Sequence, residues 1–155
     1  MASSTVKAIP DGMHTITPHI ICANAPAAMD WYARALGAQE LVRLMGPNGK
    51  LMHGLMSIGD SKLMLMEEMA ECQATGPLAL KGTPVTLHLY VDDVDAAFGR
   101  AVEAGAAVRM PPTDMFWGDR YSVITDPSGH CWAIATHKQD LSEDEIKANM
   151  AKQCG

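Results

Sequence analysis

The strongest constraint on this chain is a diverged internal repeat. With Thr17 laid over Thr86, the segment Thr17-Pro18-His19-Ile20-Ile21 falls on Thr86-Leu87-His88-Leu89-Tyr90. Each segment then passes through a short polar turn into an Ala-rich stretch. The first runs from Ala27 to Leu36 and is closed by Gly37; the second runs from Asp95 to Ala104 and is closed by Gly105. Asn24 and either Asp92 or Asp93 can accept hydrogen bonds from the first free N–H groups of the two helices, and the glycines can end them in the left-handed conformation. Ala97, Phe98, Ala101 and Val102 share one stripe of the second helix. A fold built on such a repeat must satisfy the same local grammar twice.

Three strand-like runs follow each helix. In the first half they cover about 39–46, 52–58 and 62–67, separated by Pro47-Asn48-Gly49 and Gly59-Asp60-Ser61. In the second half they cover about 107–111, 120–125 and 131–137, separated by Pro111-Pro112-Thr113-Asp114 and Asp126-Pro127-Ser128-Gly129. These breaks are rich in turn formers. Each half therefore reads β-α-β-β-β, and the fold class is α+β. The organisation is an arm over 1–13, a first module over 14–71, a linker over 72–84, a second module over 85–138 and a helical tail over 139–155, together one domain. In the tail, Ser142 and Glu145 form a capping-box pattern.

The lead strands alternate. Side chains two apart share a face, so Val85, Leu87, Leu89 and Val91 form an apolar face for the helix. Thr86, His88 and Tyr90 point the other way. In the first half Ile16, Pro18 and Ile20 share the helix face, and Thr17, His19 and Ile21 share the opposite one. One helix cannot cover both faces of a sheet. The second face, with its Thr-x-His pair in each half, is left for a ligand, the other half or another subunit.

Composition narrows the partners. Twelve Lys and Arg against eighteen Asp and Glu give a net charge of −6. That balance disfavours nucleic acid and anionic membrane, which both demand clustered cations. No apolar run reaches the ~18 residues that a spanning helix needs. The first ten residues lack the apolar core of a signal peptide, so a cytoplasmic location is expected. Cys22, Cys72, Cys131 and Cys154 show no paired spacing and are expected as free thiols. Twelve Met against two Phe suit either ordinary packing or a compliant, apolar-lined pocket.

Four segments give the chain a likeness to a known family. They are Thr17-Pro18-His19-Ile20 leading to Asp30-Trp31-Tyr32 and Leu36-Gly37-Ala38; Leu89-Tyr90-Val91-Asp92-Asp93-Val94-Asp95-Ala96; Met115-Phe116-Trp117-Gly118-Asp119-Arg120-Tyr121; and Asp126-Pro127-Ser128-Gly129-His130-Cys131-Trp132 with Ala135-Thr136-His137. Across roughly 15–141 the sequence resembles the vicinal oxygen chelate superfamily, and within it the PhnB-like, glyoxalase/bleomycin-resistance-like proteins. The resemblance implies paired βαβββ modules forming a cupped mixed sheet with helices outside, a concave ligand cavity and a homodimer. It also implies a divalent metal held by four His or Glu side chains. Carried onto this chain, the first position falls on Thr17, the third on Thr86 and the fourth on Ala133, with the second near 64–67. Thr and Ala are poor ligands for such an ion. The usual metal set is therefore not expected, although His19 and His88, two residues further along, with Glu67 or Glu68, could form a shifted site.

Candidate ligand-binding residues are Thr17, His19, Thr86, His88, Tyr90, Phe116, Trp117, Arg120 and Tyr121. Phe116 and Trp117 could wall a planar ligand or pack on a second subunit. Arg120 and Tyr121 could offer a cation and a hydroxyl, or Arg120 could simply pair with Asp119 or Asp126. Three functional readings stay open: a metal-free protein binding a small planar or partly apolar molecule, as antibiotic-resistance members of the resembled family do; a metal-dependent lyase, isomerase or dioxygenase using the shifted His19/His88 site; and a metal-free enzyme using Arg120 and Tyr121.

Overall fold

A computed structural model describes residues 5–155; of the expected arm, residues 1–4 lie outside the described residues. The chain divides between Gly76 and Pro77 into two compact units. The first contains β1 (His19–Cys22), α1 (Ala25–Leu36), β2 (Gln39–Met45), β3 (Leu51–Ile58) and β4 (Ser61–Glu67), followed by a 3-10 turn over Ala70–Cys72. The second contains a single helical turn α2 (Pro77–Leu80), then β5 (Thr86–Tyr90), α3 (Val94–Glu103), β6 (Ala107–Asp114), β7 (Asp119–Thr125), β8 (Cys131–His137) and α4 (Glu143–Gln153).

The two sheets have the same topology. Their strand orders are β1-β4-β3-β2 and β5-β8-β7-β6. In each, the lead strand pairs in parallel with the last strand, and the other pairs are antiparallel. The repeat is thus a repeated βαβββ module, and the fold class is α+β.

Local chemistry fixes the helices. Asn24 Oδ1 accepts from Ala27 N at 3.2 Å, and Asp93 Oδ1 accepts from Ala96 N at 3.1 Å. Gly37 ends α1 at φ 68°, ψ 22°, the left-handed cap that glycine adopts without steric cost. α3 ends less sharply: Ala104 is still right-handed, and the positive φ comes one residue later at Gly105. Ser142 Oγ caps α4 by accepting from Glu145 N at 3.2 Å.

α1 and α3 each pack on one face of their own sheet. Ala25, Ala28, Met29, Trp31, Tyr32, Ala35 and Leu36 are buried on α1, with Leu63, Leu65 and Met56 from the strands. Met29 lies so close to β3 that a side chain at Gly54 would meet its sulfur at 2.8 Å. In the second unit, Val94, Ala97 and Ala101 of α3 are buried along with Ile124, Trp132 and Ile134. Thr136 ties helix start to sheet: its Oγ1 donates to Val91 O and accepts from Val94 N, both at 2.8 Å.

One expected turn is strand instead. β6 continues to Asp114, through Pro111 and Pro112. It is an edge strand, and its pairing with β7 shifts register between Met110 and Thr113. Prolines lack the N–H that a central strand needs, and an edge with a bulge tolerates that loss. The lead strands are also shorter than the sequence pattern suggested, beginning at His19 and Thr86. No helix among the described residues is long and apolar enough to cross a membrane.

Candidate functional site

The face of each sheet turned away from its helix carries most of the sequence candidates, and each unit has its own. In the second unit the register places Thr86 beside Cys131, His88 beside Ala133 and Tyr90 beside Ala135. Next along, Tyr121 lies opposite Ala135 and Val123 opposite Ala133. Ala133 and Ala135 present only methyl groups, so the larger rings on either side stand above a low floor.

Those rings form a continuous row. His88 packs on Tyr90 with centroids 4.6 Å apart and on Tyr121 at 5.8 Å. Trp117 meets Tyr121 edge-on at 5.4 Å, and Phe116 meets Trp117 at 4.9 Å. Phe116 and Trp117 sit in the β6–β7 turn, which Gly118 closes by donating to Met115 O at 3.1 Å. Five of the nine sequence candidates, His88, Tyr90, Phe116, Trp117 and Tyr121, are thereby brought together, with Thr86 on the same face.

A buried carboxylate anchors the row. Asp119 is 3% exposed. Its Oδ2 accepts from the Tyr90 hydroxyl at 3.1 Å, and its Oδ1 bonds to His137 Nδ1 at 2.7 Å. The Trp117 side chain, which can only donate, is its third partner. Burial pushes the carboxyl pKa up, but the hydrogen bonds from His137, Trp117 and Tyr90 outweigh it, so the net shift is down and Asp119 is ionised. The same contact raises Tyr90, chiefly by its hydrogen bond to Asp119. Tyr90 is therefore a held donor rather than a nucleophile. His137 is raised, first by Asp119 and then by Asp140, whose Oδ1 lies 2.8 Å from Nε2.

Arg120 is not part of the row. It neighbours Thr136 in register, on the helix side of the sheet. Its guanidinium grips Asp95 of α3 through two bonds of 2.8 and 3.0 Å and Asp114 through one of 3.2 Å. The pairings with Asp119 or Asp126 weighed from the sequence give way to these. Adjacent residues on a strand face opposite ways, so Arg120 and Tyr121 cannot serve one ligand together.

The first unit has a different open face. His19 stands beside Met64, and Ile21 beside Met66. His53 of β3 meets His19 edge-on at 6.3 Å. Burial first, and then the charge of His53, lower the His19 pKa, so His19 is neutral at pH 7. Thr17 Oγ1 donates to His14 O at 3.4 Å. Glu67 is opposite Cys22, on the face away from His19, and its Oε2 accepts from Leu51 N at 2.7 Å. Glu68 Oε1 accepts from Gly76 N at 2.8 Å. Both carboxylates thus serve backbone donors in their own unit rather than standing beside His19 as ligands.

The donor set does not fit the superfamily's four-ligand metal. The Ala133 side chain is a methyl group with no lone pair to offer, and the residue is fully buried. Thr86 Oγ1 is occupied with Cys131 Sγ at 3.6 Å. Among the described residues no three His, Cys, Asp or Glu side chains are grouped to hold an ion. None of the four cysteines is in a disulfide; Cys22 and Cys131 are buried and Cys72 and Cys154 exposed.

Three residues of these faces escaped the sequence reading. His53 carried no local signal, although strand parity with Leu55 would have placed it opposite the helix. Asp119 was considered only as a partner for Arg120. His137, the last residue of the run 131–137, carries no separate signal in the sequence.

The chain belongs to the Glyoxalase/Bleomycin resistance protein/Dioxygenase superfamily, whose family model matches residues 12–134. An uncharacterized protein of Mycobacterium bovis is 42% identical over 141 residues, covering 89% of this chain and 93% of the relative. Among solved structures, TioX from Micromonospora sp. ML1 is similar at 27% identity and a TM-score of 0.64, over 80% of this chain and 98% of that one. TnmS3, an antibiotic binding protein from Streptomyces sp. CB03234, is 24% identical with a TM-score of 0.62, over 86% of this chain and 100% of that one.

Proposed function

We propose that the protein binds a small, planar, partly apolar molecule against the aromatic row of the second unit, without the metal set of its superfamily. The observation that carries this reading is the run Tyr90–His88–Tyr121–Trp117–Phe116 above Ala133 and Ala135. A planar ligand laid there gains apolar burial and ring contacts, each worth about 0.5–1.5 kcal/mol beyond area. His88 adds an imidazole that can donate or accept at the edge of such a ligand. That a protein of the same fold, TnmS3, is an antibiotic binding protein supports the reading but does not supply the ligand. The working form in this reading is a homodimer, supported by exposed Leu41, Leu44 and Met45 on the edge strand β2; light scattering giving a monomer mass at micromolar concentration would remove that part.

Titration with anilinonaphthalene sulfonate, a fluorescent probe with a flat, apolar naphthalene ring, tests the binding site. Tyr121→Ala and Trp117→Ala should each weaken binding by at least about three- to ten-fold, the equivalent of one lost ring contact. Equal affinity in wild type and both variants would place the site elsewhere.

A further inference from the structure

We propose that the segment from His137 to Asn149 is the positioning element of the aromatic loop, setting ligand affinity at the row from beyond the residues that the family model matches. This rests on the binding reading above. The family model stops at residue 134, so the segment, which starts at the last residue of β8, lies beyond the matched residues.

Phe116 and Gly118 of the loop contact that segment directly, and Trp117 is tied to it through Asp119. Phe116 O accepts from Asn149 Nδ2 of α4 at 3.4 Å. Trp117 is bonded to Asp119, which His137 links onward to Asp140. Gly118 O accepts from both Lys138 N and Gln139 N at 3.0 Å. The approach at Gly118 is close enough to exclude a side chain. Its φ is +101°, and a Cβ there would sit 2.5 Å from Gln139 O. Glycine is therefore what lets the two backbones meet.

The brace is also able to move. α4 has no fully buried residue; Ile146 and Asn149 are half-buried, so the helix is held by shallow contacts rather than by a core of its own. A cavity of about 210 Å3 lies at the junction, lined by Asp114, Met115, Gly118, Asp119, Lys138 and Gln139. Loosening the segment would leave Phe116 and Trp117 free to shift into that space, at an entropic cost to ligand binding.

The test uses the full-length double variant Asp140→Ala/Asn149→Ala. Asp140 is fully exposed and Asn149 belongs to a helix without a core, so the fold should survive, which an unchanged melting temperature would confirm. Trp31 and Trp132 are each 4% exposed, so acrylamide-accessible tryptophan emission reports on Trp117. The double variant should show stronger acrylamide quenching and about three- to ten-fold weaker binding of anilinonaphthalene sulfonate, as for one or two lost hydrogen bonds. Unchanged quenching and unchanged affinity, in a protein whose Trp117→Ala variant does lose the probe, would overturn the brace and leave the binding site standing. Unchanged affinity in Trp117→Ala would instead remove the binding reading and the brace with it.

Discussion

Two carboxylates in the second unit are equally hidden, Asp119 and Asp126 at 3% exposure each, yet their removal should have unequal consequences. Asp126 Oδ1 accepts from Ser128 N at 2.9 Å and His130 N at 3.0 Å, and its Oδ2 from Trp132 Nε1 at 2.9 Å. Trp132 and Ser128 are themselves buried, so water cannot readily replace the lost acceptor. An orphaned buried donor costs about 1–3 kcal/mol, which puts Asp126→Ala at about 3–5 kcal/mol after partial relaxation. That is a large share of the ~5–15 kcal/mol that holds a typical domain together. The donors on Asp119 are differently placed. Tyr90 is 62% exposed, the His137 side chain 53%, and Trp117 half-buried, so all three can turn to water. Asp119→Ala should therefore cost less than Asp126→Ala, while loosening the aromatic row more. Urea unfolding followed by far-UV circular dichroism measures the first effect, and acrylamide quenching of Trp117 the second. Asp119→Ala proving the costlier, or Asp126→Ala costing under about 1 kcal/mol, would refute this reasoning about where water can reach.

Further outcomes follow from single contacts. Gly37→Ala forces a β-carbon into a left-handed cap at φ 68° and should destabilise by about 1–2 kcal/mol in the same urea assay. Arg120→Ala should leave probe affinity unchanged, because its guanidinium is held by Asp95 and Asp114 on the helix side; a clear loss would return Arg120 to the site. His137 is raised above 6.5 by Asp119 and Asp140, so its contribution to stability is full below that value and fades as pH rises through the raised one. His19 is lowered from 6.5, so stability falls as pH drops from 6.5 through its lowered value. Melting temperatures across pH should lose the first slope in His137→Gln and the second in His19→Gln.

The module order was legible because its signals are local. Asn24, Asp93 and Gly37 act on residues within one turn, and strand alternation alone separated His88 from Leu87 and Leu89. What failed to show depends on neighbours distant in sequence. Pro111 and Pro112 look like a turn until β6 is known to be an edge. Arg120 was matched with acids nearby in sequence, whereas its main partner, Asp95, comes from α3 across the sheet. The anchor of the row is likewise assembled from β5, the β6–β7 turn and β8. Neither Asp119 nor His137 announces that meeting in the primary structure.

In the proposed reading, aromatic side chains bind the ligand in a chain where the positions that the family resemblance would give to metal ligands carry Thr17, Thr86 and Ala133. The most direct test of that reading is the dissociation constant of anilinonaphthalene sulfonate for protein stripped by a chelator, measured with and without added zinc or nickel. The account predicts the same affinity in both conditions, with well under one metal ion retained per chain before chelation. Binding that vanishes on stripping and returns with stoichiometric metal would contradict it.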